Sequence, residues 1–154
     1  MNVIFRKATS KDWKTIQKLN YQAMKANFEY NKFIKPNWEF TKWGENYFKN
    51  ITKDKIKPCF IAKLDDKPIG YLNGYQKNQG HRTIKTAEIE NVAVLPSHQS
   101  QGIGSQLINE FKAWCKQKNI THLWVNVYSK NKRAIKLYKK LGLKPIDISF
   151  EGKI

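Results

Sequence analysis

Gln99-Ser100-Gln101-Gly102-Ile103-Gly104 is the stretch from which the rest of the chain is read. An apolar run, Ile89 to Leu95 closed by Pro96, precedes it, and a helical pattern from Ile103 to Lys118 follows it. Strand, tight loop and glycine-rich helix start together build an anion site. The first N–H groups of a helix lack intrahelical partners, and the helix dipole favours negative charge there. Glycine lets a phosphate come close to the backbone. A Gly-x-Gly pair gains meaning only from its context. Here the context is Glu88-Ile89-Glu90-Asn91-Val92-Ala93-Val94-Leu95-Pro96 before it and Asn131-x-x-Ala134-x-x-Leu137-Tyr138-x-x-Leu141-Gly142-Leu143 after it.

Outward from this stretch, the pattern predicts a succession of elements. Val3 to Lys7 alternates as an edge strand, and Thr9-Ser10-Lys11-Asp12 starts a helix to about Ala26, with a capping hydroxyl and an acid in its first turn. Pro36 stops an irregular segment, and Trp38 to Ile51 suggests a second helix, interrupted in pattern by Gly44. Cys59–Leu64 and Ile69–Tyr75 read as strands joined by a turn at Asp65-Asp66-Lys67-Pro68. Thr86–Leu95 is a third strand of this group. Ile103, Leu107, Ile108, Phe111, Trp114 and Cys115 form one stripe of an amphipathic helix. Thr121–Tyr128 is β-rich, Lys130–Leu141 is a short helix closed by Gly142, and Ile146–Phe150 alternates as a last strand. The order predicts an α/β domain with a mixed sheet. Residues 1–154 show no repeat or linker and are expected to form a single domain.

Composition narrows the classes. With 154 residues, 40% hydrophobic and 13% aromatic, the chain is expected to fold around a real core. No apolar run reaches transmembrane length, and the start, Met1-Asn2-Val3-Ile4-Phe5-Arg6, does not read as a signal peptide. Both observations lead to an expected cytoplasmic location without membrane partners. Cys59 and Cys115 stand apart beside apolar neighbours and read as reduced buried thiols. The net charge of +17 (29 basic, 12 acidic) invites a nucleic-acid reading. The lysines are scattered through every segment without an arginine cluster, so a solvated surface is the preferred reading. Such a field also attracts anions. His81, His98 and His122 show no metal-ligand spacing, and no metal is expected.

The strand, loop and later helix together resemble the GNAT superfamily of acetyl-CoA-dependent N-acetyltransferases. The family's loop reads Gln/Arg-x-x-Gly-x-Gly/Ala, which Gln99, Gly102 and Gly104 fit. The resemblance is specific from about Thr86 to Leu143. It implies a GNAT-like mixed, mostly antiparallel sheet flanked by helices, with the fourth and fifth strands splayed and acetyl-CoA entering the gap as co-substrate. It implies backbone contacts from Val92, Ala93 and Val94 to the pantetheine arm, with the Val94 N–H polarising the thioester carbonyl. The pyrophosphate is expected on the N–H groups of Ser100, Gln101, Gly102, Ile103, Gly104 and Ser105, with Gln99 shaping the loop. Asn131 resembles a cofactor-contacting Asn and is also placed to cap the following helix.

Tyr138 lies where similar enzymes protonate the leaving thiolate, and a phenol with an ordinary pKa of about 10 suits a thiol leaving group. A base is needed because an alkylammonium must lose a proton before attack. Glu88 and Glu90 are both candidates: Glu88 matches the register of histone-type members, and Glu90 is nearer the cofactor end. Ribosomal-protein members carry a fifth-strand glutamate where this chain has Asn126. The acceptor side is expected in the stretch holding Phe28, Glu29, Tyr30, Phe33, Trp38, Glu39, Phe40 and Glu45, whose acids and rings could accept a cation; Phe28, Glu29, Trp38 and Asn126 are the substrate candidates. The expected acceptor is a small amine or short peptide. Protein acetylation and a catalytically silent acetyl-CoA-binding module are the alternatives, and a homodimer is compatible with the sequence.

Overall fold

The alternation at Val3–Lys7 produces an edge strand. In the computed structural model, which describes residues 2–154, β1 (Val3–Lys7) pairs antiparallel with β2 (Cys59–Leu64). β3 (Lys67–Lys77) follows through Asp65 and Asp66, whose φ angles are 47° and 62°. Two left-handed residues match the twist of a hairpin, and Asp tolerates that conformation. The turn is therefore shorter than expected, and Lys67 and Pro68 belong to the strand. β3 pairs antiparallel with β4 (Thr86–Val94), and β4 pairs parallel with β5 (His122–Val125), in the order β1-β2-β3-β4-β5. This is the mixed, mostly antiparallel sheet the sequence predicts.

Helices cover both faces. Before α1 (Trp13–Ala23), the Asp12 carboxylate accepts from the Thr9 N–H at 2.7 Å and hydroxyl at 2.9 Å. It also takes two bonds from the Arg6 guanidinium at 2.8 and 2.9 Å. A short α2 (Asn27–Tyr30) lies in the segment expected to be irregular. The helix expected from Trp38 is split. A 3₁₀ turn spans Trp38–Phe40, Thr41 is extended, and its hydroxyl accepts from the Gly44 N–H to open α3 (Lys42–Lys53). Gly44 is required there: a Cβ would lie 2.3 Å from the Trp38 carbonyl oxygen and 2.5 Å from that of Glu39.

α1 and α3 bury Ile16, Leu19, Phe48 and Ile51 against Ile61, Tyr71 and Ala93 of the sheet. On the opposite face, α4 (Ile103–Gln117) buries the predicted stripe against Leu72, Ala87 and Ile89. Each such large apolar side chain contributes about 1.5–3 kcal/mol by leaving water. α5 (Lys132–Lys140) joins this second core through Leu137 and Tyr138. It ends with the Gly142 and Leu143 N–H groups each 3.0 Å from the Lys139 and Tyr138 carbonyls.

Two expected strands differ. The Thr121–Tyr128 run is a strand only over His122–Val125, because its partner β4 pairs with it no further than Ile89. Ile146–Phe150 is not a strand. Ile146, Ile148 and Phe150 are exposed, and among the described residues no neighbouring strand supplies the ladder that an extended segment needs.

Candidate active site

The β4/β5 ladder stops at Ile89 and Val125, yet β4 continues to Val94 along β3. The edge of β4 from Glu90 to Val94 therefore faces a gap. On the other edge, the Leu95 N–H donates to the Ile69 carbonyl at 2.9 Å. Backbone N–H groups alternate in direction along a strand, so those of Val94 and Val92 face the gap. Val92 and Val94 pack their side chains on the α4 core, and Ala93 packs on the α1/α3 core.

The loop after β4 ends this gap. Ser100 and Gly102 have φ of 63° and 84°, the left-handed region that Gly102 enters without a Cβ clash. Among the described residues, the N–H groups of Ser100, Gln101, Gly102, Ile103, Gly104 and Ser105 donate to nothing in the chain. Gln99 donates its side-chain amide to the Val94 carbonyl at 2.8 Å and accepts from the Arg133 guanidinium. Gln101 donates to the Ser97 carbonyl at 3.2 Å. Arg133 carries no motif signal, and only the packing of α5 beside the loop brings it here. Asn131 caps α5: its side-chain oxygen accepts from the Ala134 N–H at 3.1 Å.

A strand bulge separates the two glutamates. Asn73 pairs with Asn91 and Gly74 with Ile89, so Glu90 is the extra, unpaired residue of β4. Its carboxylate accepts from Asn73, whose amide also donates to the Tyr47 hydroxyl at 3.3 Å; Asn91 donates to the same hydroxyl at 2.7 Å. Burial, reinforced by the Glu90 charge, holds the Tyr47 phenol well above its ordinary pKa. Glu88 sits where β5 still pairs. It accepts from the Tyr75 hydroxyl and from Lys77, both at 2.7 Å, and Lys77 lies over the Trp124 ring. Tyr47, Asn73 and Asn91 gave no spacing signal. The one sequence cue was a polar Asn73 inside the apolar run Ile69–Tyr75.

Tyr138 is 8% exposed and burial pushes its phenol up to about 12. Its hydroxyl makes no hydrogen bond among the described residues and is not among the sealed-off buried atoms, so it retains solvent access. Cys59 and Cys115 are buried and free, with thiols pushed by burial up to about 12 and about 11. Thiols held protonated in this way are poor nucleophiles.

On the α1/α3 side of β4, Phe28 and Trp38 line a small recess with Glu39, Met24 and Asn91. Glu29 is exposed and outside this recess, and Asn126 is exposed just past the end of β5. Tyr30 meets Tyr128 at a ring separation of 5.9 Å, closing the segment after β5 against α2. Phe33 and Phe40 are exposed, and Glu45 pairs with Lys49 on the surface of α3. A larger cavity, about 260 Å³, lies at the far end of the sheet between Lys7, Lys53 and Trp114, away from the gap. No group of His, Cys, Asp or Glu suited to a metal occurs among the described residues. No helix there is long and apolar enough to cross a membrane.

Splayed strands ending at an unpartnered run of N–H groups define the site: an open strand edge that leads into a helix start. The model of the Acetyltransferase (GNAT) family matches residues 18–143, and the chain belongs to that family. An uncharacterised N-acetyltransferase of Methanocaldococcus jannaschii is 32% identical over 77% of this chain, which spans 53% of that relative's length. An N-alpha-acetyltransferase of Sulfurisphaera tokodaii is 29% identical, over 93% of this chain and 81% of the relative. A solved Bacillus halodurans protein shares the fold with a TM-score of 0.86 at 19% identity, covering 98% of this chain and 99% of the other. A solved structure of AAC(6')-Iy in complex with a CoA bisubstrate analogue superposes with a TM-score of 0.78 at 18% identity, covering 100% of this chain and 99% of that one.

Proposed function

We propose that residues 1–154 act as an N-acetyltransferase that moves the acetyl group of acetyl-CoA directly to a primary amine. The carrying observation is the open edge of β4 beyond Ile89, continuous with the unpartnered N–H groups from Ser100 to Ser105. These residues fit CoA: a strand edge for the amides of pantetheine and a helix start for the pyrophosphate. When bound, acetyl-CoA supplies an acetyl thioester. The chain's own groups do the rest. The Val94 N–H, pointing into the gap, stabilises developing negative charge on the carbonyl oxygen. Glu90, set out of the ladder by the bulge at the start of the open edge, takes the proton that the acceptor ammonium gives up. Tyr138 keeps its proton at neutral pH and delivers it to the departing sulfur. Holding both reactants in one gap supplies much of the rate.

Glu90 is preferred to Glu88 as base because Glu88 is committed to Lys77 and Tyr75. A small amine or short peptide is the favoured acceptor. The similarity to an N-alpha-acetyltransferase along 93% of the chain supports a peptide α-amine as the second reading. The test is a thermal-shift titration with acetyl-CoA and a control nucleotide, followed by thiol release with an amine panel. A shift with acetyl-CoA only, then turnover, is expected. No shift at saturating acetyl-CoA rejects the reading, and a shift without turnover on any amine leaves a binding module instead.

A further inference from the structure

We propose that Glu39 is the counter-charge for a second, non-reacting ammonium group on the acceptor, so that the preferred substrates are dicationic amines. This rests on the acetyltransferase reading and deepens it. Glu39 is only 3% exposed. One of its carboxylate oxygens, Oε1, accepts from the Asn20 side chain at 3.0 Å, and Asn20 accepts from the fully buried Tyr71 hydroxyl at 2.7 Å. The other oxygen, Oε2, is buried without a partner among the described residues. Buried polar atoms are almost always paired, because an unpaired one loses water and gains nothing. The chain carries 29 Lys and Arg, yet no ion pair among the described residues includes Glu39.

Glu39 lines a recess, and an ammonium entering it meets Oε2, which is closed to water in the free chain, once the carboxylate turns toward the opening. The recess measures about 60 Å³ and is walled by Phe28 and Trp38, rings suited to a cation. An ammonium on a thin alkyl stem is about the size of a water molecule and fits such a space. The recess reaches Asn91, next in sequence to Glu90. The Glu39 turn is held from two sides: Gln17 donates to the Glu39 carbonyl at 2.8 Å, and Gly44 lets α3 press against it. The group held here cannot be the one that reacts. A buried carboxylate stabilises the protonated ammonium, and a protonated amine does not attack. Glu39 therefore holds the end that stays charged, while Glu90 serves the end that is acetylated.

The test compares linear diamines, monoamines and amino alcohols of equal chain length as acceptors for the full chain and for Glu39→Gln. Gln keeps the size and the Asn20 contact and removes the charge. For the wild type, diamines should exceed both neutral-ended series in kcat/KM by at least about tenfold, the scale of a charged hydrogen bond. Glu39→Gln should remove that preference through KM, lowering diamine kcat/KM at least about tenfold more than monoamine kcat/KM. An unchanged acetyl-CoA thermal shift verifies that the variant is folded; the amino-alcohol comparison on the wild type needs no variant. No diamine preference in the wild type, or equal losses for all acceptors in Glu39→Gln, overturns the proposal. If no amine is acetylated and acetyl-CoA does not bind, the acetyltransferase reading has failed. The cation site is then judged by melting temperature, which diamines should raise in the wild type and not in Glu39→Gln. Equal shifts in both proteins reject it.

Discussion

The Gln99 side-chain amide donates to the Val94 carbonyl at 2.8 Å, tying the anion loop to the last residue of β4. The strand edge and the N–H cluster are thereby held in one register. Gln99→Leu breaks this tie and releases Arg133 from its contact with Gln99. The variant should bind CoA about two- to tenfold more weakly, as expected for one lost hydrogen bond. Pantetheine, which lacks the phosphates, should bind both proteins equally. Calorimetric titration of the two ligands checks this; equal weakening of both would place the role of Gln99 in β4 itself.

Tyr138→Phe removes a hydroxyl that has no partner among the described residues and leaves the ring in its core. It should lower kcat by about 10²- to 10⁴-fold, the usual contribution of general acid catalysis, with KM for acetyl-CoA unchanged. Burial raises the Tyr138 pKa to about 12, so the neutral form is favoured by folding. The corresponding stability is fully present below the ordinary phenol value of about 10 and is lost as pH rises towards about 12. The pH profile of kcat should therefore show no Tyr138 limb below pH ~10. A limb near pH ~8 that vanishes in Tyr138→Phe would contradict this.

Glu90→Gln and Glu88→Gln should separate the base from its neighbour. Glu90 lies at the unpaired bulge position, whereas Glu88 is bonded to Lys77 and Tyr75. Removing a base typically costs about 10²- to 10⁴-fold in kcat, and that loss is expected for Glu90→Gln. For Glu88→Gln, kcat should stay within about threefold, with a modest loss of thermal stability from the broken ion pair. The reverse pattern would assign the base to Glu88.

Asp12→Asn should destabilise the fold by about 1–2 kcal/mol at neutral pH, because Asp12 carries charge-assisted bonds from Arg6 and two bonds from Thr9. The Arg6 contact holds the Asp12 carboxyl well below the usual range. A depressed folded pKa gives stability that is present above the unfolded value of about 3.9 and lost as pH falls below it. Urea unfolding of both proteins should therefore show a difference that is constant from pH ~7 to ~5 and shrinks below pH ~4. A difference undiminished at pH ~2 would assign the effect to packing.

Local chemistry determined much of this protein from sequence alone. The period of two at Val3–Lys7, the period of 3.6 along Ile103–Gln117 and the Gly102 and Gly142 positions each act within a few residues, so the edge strand, the α4 stripe and both turns were legible. The loop that leaves its N–H groups unpaired was legible for the same reason: it needs only a strand, a glycine and a helix start in succession. Tertiary structure decided what depends on distant partners. Alternation at Ile146–Phe150 predicts a strand, but a strand exists only where a neighbour pairs with it. Two-residue spacing made Glu88 and Glu90 equivalent, and only the offset of β3 against β4 released Glu90 while Lys77 claimed Glu88. Glu39 read as one acid among aromatic neighbours. The packing of Gly44 beneath its turn, with Asn20 and Tyr71 arriving from α1 and β3, buried it with one oxygen unpaired.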